Sequence, residues 1–109
     1  MIIDFKDLTE DIIPNFKGGE KQFNIRQFND PLNKIALGTL EVGASVGLHT
    51  HTDSCEIIYV VSGTGSATHN GKTEKLFPGI CHYCPKGDSH SIVNDSNEPL
   101  IFFLSVNKQ

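Results

Sequence analysis

Residues 43–63 read GASVGLHTHTDSCEIIYVVSG, and their reading decides the fold. Cys55 to Gly63 is rich in β-branched residues, holds one aromatic and ends on glycine, which makes it the clearest strand in the chain. His49 and His51 precede it. On an extended chain, positions i and i+2 share a face, so these two imidazoles point together, as a shared ion would require. A short turn after Thr52 lets the chain reverse and brings Glu56 toward them.

A second stretch, GICHYCPKGDSHSIVN at residues 79–94, delivers His90 from a separate hairpin, beyond a corner made by Pro85 and Gly87. His49, His51, Glu56 and His90 are therefore the candidate metal ligands. Three imidazoles and a carboxylate form a mixed nitrogen and oxygen set. It suits a divalent transition metal (iron, manganese, nickel, zinc or cobalt) without selecting among them. Each residue also has a plainer reading: the two spaced histidines as solvated loop residues, His90 as a structural histidine, Glu56 as an edge-strand charge. His69, at a hairpin tip, reads as solvated. His82 has the opposite strand parity to Cys81 and Tyr83. Neither is expected to be a ligand.

Outward from these stretches the chain reads as many short strands punctuated by Gly, Pro and Asn. Residues 21–28 and 35–41 are strands before the first motif, and Gly43 and Gly47 bracket a loop leading to the histidines. Ser66 to His69 and Lys72 to Leu76 flank Asn70-Gly71, the strongest local hairpin signal. Residues 80–84, 90–93 and 100–106 complete the set. Residues 7–13 have the composition of one helical turn ending before Pro14. No segment shows helical periodicity over three turns. The pattern predicts an all-β antiparallel barrel or jelly roll.

At 109 residues the chain makes one domain. Its net charge of -4, with no block of basic residues, argues against nucleic-acid binding. No apolar run is long enough to span a membrane. The first residues, MIIDFKDLTEDII, lack the features of a secretion or transit signal, so a cytoplasmic location is expected. Three cysteines, Cys55, Cys81 and Cys84, give an odd count and no disulfide framework. Cys81 and Cys84 would point to opposite faces of a strand, and the second ligand pair that a structural zinc site needs is missing. Inert thiols are expected.

With these motifs in place the chain resembles a small single-domain cupin of the type-2 conserved barrel kind. The resemblance is strong over residues 43–94, including the glycines, Pro85 and Asn94, with residues 64–78 as a short spacer between motifs. One departure is Ile80, where such proteins often carry an aspartate. The resemblance implies a double-stranded β-helix, or jelly-roll barrel, over residues 1–109. It also implies His49, His51, Glu56 and His90 as metal ligands, and a homodimer with the N-terminal strands, residues 20–42, in contact. Cupins include isomerases and epimerases, lyases, dioxygenases and binding proteins, so the fold does not decide the function. The expectation is a divalent-metal-binding cupin acting on a small oxygenated metabolite, by isomerase, lyase or dioxygenase chemistry. The alternative is a non-catalytic metal- or small-ligand-binding module. Ile58 and Val60 should give the cavity an apolar wall with Tyr59 facing away, and Arg26 is a candidate for the cavity rim, with a solvated strand residue as its plainer and favoured reading. No catalytic residue is singled out.

Overall fold

The computed structural model describes residues 1–109 and contains ten strands and two short 3-10 turns. The strands are β1 (Glu10–Pro14), β2 (Gln22–Asn29), β3 (Asn33–Leu40), β4 (Ser45–Thr50), β5 (Ser54–Ser62), β6 (Gly65–His69), β7 (Lys72–Leu76), β8 (Cys81–Cys84), β9 (Ser89–Val93) and β10 (Leu100–Lys108). They form a six-stranded sheet, β1-β2-β3-β10-β5-β8, and a four-stranded sheet, β4-β9-β6-β7. Every pairing is antiparallel. The all-β jelly-roll expectation holds.

Alternation along the strands builds the interior. On β5, Ile58 and Val60 are fully buried while Tyr59 is exposed, as opposite faces of one strand require. Phe23 and Ile25 on β2, Leu40 on β3, Ile92 on β9 and Phe102 and Leu104 on β10 complete the same core. The rings of Phe23 and Phe102 lie nearly parallel with centroids 5.8 Å apart. The β6–β7 hairpin turns on Asn70 and Gly71, both left-handed with φ of 48° and 83°, as a tight two-residue turn demands.

Two expectations need correction. The single helical turn over residues 7–13 is not formed. A 3-10 turn spans Phe5–Asp7, capped by the Asp4 carboxylate, which accepts from the Lys6 amide, and Glu10–Pro14 is β1. Pairing with β2, from Glu10 opposite Arg26 to Pro14 opposite Gln22, satisfies backbone groups that an isolated turn would leave open. Gly47 lies inside β4 rather than in a loop. The register against β9 slips between Val46 and His49, and there the second 3-10 turn, Phe16–Gly18, crosses over β4. A Cβ on Gly47 would sit 2.0 Å from the Lys17 carbonyl oxygen, so only glycine admits this crossing.

Asn94, at the end of the second motif, closes the loop after β9. Its fully buried amide donates to the carbonyls of Leu40 (2.9 Å) and Glu98 (2.7 Å). Its oxygen accepts from the Ser96 amide and hydroxyl. All four hydrogen-bonding positions of the side chain are used. An Asn94→Ala protein strands several of these partners and should lose about 3 kcal/mol of stability, a drop in Tm of roughly 10–20 °C for a domain of this size. Thermal unfolding followed by circular dichroism checks this, and a variant melting with the parent would refute the role given to Asn94.

Candidate metal centre

The register of the four-stranded sheet assembles the centre. His49 on β4 lies directly opposite His90 on β9, and His90 lies directly opposite His69 on β6. Cross-strand partners share a face, so these side chains all enter the barrel. His51 follows just past the end of β4, two residues after His49. Glu56 enters from β5 in the other sheet, across the short turn that the motif spacing implied.

Four donor atoms converge. His90 Nε2 lies 2.8 Å from Glu56 Oε1, 3.0 Å from His51 Nε2 and 3.2 Å from His49 Nε2. Glu56 Oε1 is also 3.0 Å from His51 Nε2 and 3.9 Å from His49 Nε2. The whole group lies within 4.8 Å, and His51, Glu56 and His90 are buried. Sequence reasoning named these four residues, and the structure brings all of them together.

The far sides of the rings show that the group fits a metal. His49 Nδ1 lies 2.8 Å from the Gly47 carbonyl oxygen, which can only accept, so Nδ1 carries the hydrogen and Nε2 presents a bare lone pair. His51 Nδ1 is held by the Ser54 hydroxyl at 3.0 Å. Lone pairs crowded this closely repel unless a cation lies among them. Outer contacts that fix ring orientation in this way are the usual surroundings of metal-bound histidine. Burial alone would raise the Glu56 pKa, but the three imidazoles packed around it outweigh burial and hold the carboxyl well below its usual range. Burial lowers the His90 pKa, against the opposing pull of Glu56. Carboxylate and neutral imidazole are the forms that ligate metals.

Above the donors opens a cavity of about 340 Å³. Phe16, Phe23, Ile25 and Leu104 form apolar wall, and Lys17 and Lys34 also line the cavity. Lys17 comes from the turn that crosses Gly47, and Lys34 from the start of β3. Neither was legible as a site residue, because each reaches the cavity only through tertiary packing.

Arg26 does not reach the rim. Its guanidinium donates to the Leu8 carbonyl, because Arg26 alternates with the inward Phe23 and Ile25 at the wrong parity. Cys81 is exposed and Cys84 buried, the opposite faces expected of them. Burial foremost pushes the Cys84 thiol up to about 11, so it stays protonated and inert beside Glu56, its cross-strand partner.

His69 is not the solvated residue expected at a hairpin tip, and His82 faces the interior. His69 Nε2 contacts Asp88 Oδ2 at 2.8 Å. His82 is almost wholly buried and lies 3.0 Å from both His90 and Glu74. The signal for His82 was the alternation of β8: exposed Cys81 and Tyr83 leave His82 and Cys84 facing inward.

A family profile described as a cupin domain matches residues 36–107. Among curated proteins, an oxalate-binding protein of Thermotoga maritima is 31% identical over 112 residues, which span 97% of this chain and 93% of that protein. A solved structure from the same organism, described as a predicted oxalate decarboxylase, superposes with a TM-score of 0.94 at 29% identity, covering 100% of both chains. A cupin-superfamily sugar phosphate isomerase from Silicibacter pomeroyi, at a TM-score of 0.81 and 19% identity over 100% of this chain and 76% of that one, shares the fold. Two motifs, one jelly roll and a family match over most of the chain lead to one conclusion: this protein belongs to the cupin family.

Proposed function

We propose that this cupin holds a divalent metal ion on His49, His51, Glu56 and His90 and binds a small dicarboxylate of the oxalate class there. The observation that carries the reading is the cavity: it opens on His49, His51 and Glu56, has walls that mix apolar and polar side chains, and is lined in part by Lys17 and Lys34. A six-coordinate ion held by four protein donors keeps room for a bidentate ligand. Two lysines supply positive charge that attracts an anion. The oxalate-binding protein of T. maritima, 31% identical, supports the choice of ligand class.

Turnover is the second reading, favoured by the neighbour described as a predicted oxalate decarboxylase. Decarboxylation would break the carbon–carbon bond of oxalate, release carbon dioxide and protonate the remaining carbon to give formate. Asp53 is the one carboxyl group other than Glu56 among the residues lining the cavity. Incubating metal-loaded protein with oxalate and assaying formate separates the readings. Saturable binding without formate supports a binding module, formate supports the enzyme, and no binding by calorimetry removes both.

A homodimer belongs to the same proposal. The N-terminal segment covers part of the outer face of the six-stranded sheet, with Phe5 set edge-on against Phe103. Ile57, Tyr59 and Val61 on β5 and Tyr83 on β8 remain exposed on that face, continuous in register with Ile35 and Leu37 of β3 through β10. An apolar patch of this kind suits a second copy of the chain. Sedimentation should report a dimer, and Tyr59→Lys combined with Tyr83→Lys should yield monomer. A monomeric parent would refute the assembly.

Two further outcomes test the centre. His51→Ala should lose the metal, read by elemental analysis. In the parent, metal at about 100 times Kd should add roughly 2.7 kcal/mol of stability over chelator-treated protein, and the variant should show no such gap. Retained metal would overturn the ligand assignment. Lys34→Gln should weaken oxalate binding about tenfold, or ~1.4 kcal/mol, while metal content stays at the parental level. Unchanged oxalate affinity would remove Lys34 from the ligand site.

A further inference from the structure

Behind the proposed ligands lies a line of side chains that metal binding alone does not explain. His90 Nδ1, the nitrogen facing away from the donor cluster, is 3.0 Å from His82 Nε2. His82 Nδ1 is in turn 3.0 Å from Glu74 Oε2. The His82 and His90 rings are only 13° from parallel with centroids 5.2 Å apart. That separation is what a 3.0 Å nitrogen–nitrogen contact plus two ring radii spans. The rings therefore lie edge to edge in nearly one plane, the alignment an N–H···N hydrogen bond requires. Both imidazoles are almost wholly excluded from solvent, whereas the Glu74 side chain is 45% exposed. The line thus runs from the buried donors to the barrel surface.

We propose that Glu74 and His82 are positioning residues that fix the tautomer and orientation of His90, so that its Nε2 lone pair faces the metal. This rests on the metal-centre reading given above. The logic is one of donors and acceptors. An ionised carboxylate only accepts, so His82 Nδ1 must carry a hydrogen. A neutral His82 then offers Nε2 as an acceptor, so His90 Nδ1 donates to it, which frees His90 Nε2 for a metal in place of its 2.8 Å contact with Glu56. One carboxylate at the surface thereby sets the hydrogen positions of two buried rings. The hydrogen bond from His82, foremost among several contributions, holds the Glu74 pKa below its usual value, in keeping with an ionised acceptor. Glu74 is itself held in place. It lies opposite Ala67 on the inward face of β7, and its other oxygen is 3.6 Å from His69 Nδ1, whose ring is anchored by Asp88 at 2.8 Å. A carboxylate behind a ligating imidazole raises the basicity of that imidazole and orients it. Here the effect passes through an intervening histidine.

Long-range 1H–15N correlation of 15N-histidine-labelled, metal-free protein reads the tautomers directly. Both His82 and His90 should carry hydrogen on Nδ1, and a His90 protonated on Nε2 instead would overturn the proposal. Zinc affinity, by competition with a chromophoric chelator, reads the consequence. His82→Phe keeps a ring but removes the acceptor, and should weaken zinc about 10- to 100-fold. His82→Gln retains a carbonyl acceptor and should recover part of that loss. A packing role predicts the reverse order, with phenylalanine tolerated better than glutamine, and that order would overturn the proposal. If His82→Phe does not fold, Glu74→Gln decides. It should shift the His90 Nδ1 proton upfield and weaken zinc by up to about tenfold, whereas no change in either would overturn the proposal. A parent that takes up no zinc refutes the metal-centre reading instead, and the tautomer spectrum then judges the Glu74–His82 line alone.

Discussion

The imidazole of His90 is the constraint on which the interior is organised. It is fully buried, with its Nε2 within 3.2 Å of three donor atoms and its Nδ1 against His82. A buried ring with two polar nitrogens is costly unless both are satisfied. Satisfying both requires side chains from β4, β5 and β8 to reach one strand, β9. The two sheets must therefore close on each other at this point, and no buried side-chain nitrogen or oxygen in the chain lacks a partner. The polar centre and the apolar core of Phe23, Ile58, Leu104 and Phe102 share one interior.

How much of this was legible in the sequence follows from the range of each interaction. His49 and His51 are two residues apart and Glu56 is five beyond, so the backbone geometry of a strand and a turn brings them together without knowledge of the rest. The Asn70-Gly71 hairpin and the inward Ile58 and Val60 are equally local. The N-terminal β1 was not legible, because Glu10–Pro14 is a strand only by virtue of β2 beside it. The side of Arg26 was left open for a related reason: its strand was visible, but the face that looks inward is set by Phe23 and Ile25 against the opposite sheet.

His82 is the instructive case. Its parity was evident, but parity alone does not say which face of β8 is interior. That is fixed by pairing β8 to β5, which sets Cys84 opposite Glu56 and His82 opposite the buried Ile58. Glu74 is less visible still, since its strand reads as a solvated run of charges, and only the pairing of Glu74 with Ala67 turns it inward. Residues that make up the proposed ligand set sit in motifs, while those that orient the set are scattered along strands that pairing alone defines.

The cavity carries the same lesson toward ligand choice. Lys17 stands in a left-handed conformation within a turn that lies against β4. Gly19 and Gly47 permit that approach, since a Cβ on either would collide with backbone of the other segment. The Gly47 carbonyl also fixes the hydrogen of His49 Nδ1. One stretch of glycine backbone thus ties the position of a cavity cation to the tautomer of a donor in the metal centre. A side chain at residue 47 would disturb both at once. The proposed anion site and the proposed metal site are therefore parts of one structure, and a ligand that engages both would be recognised by charge and by coordination together.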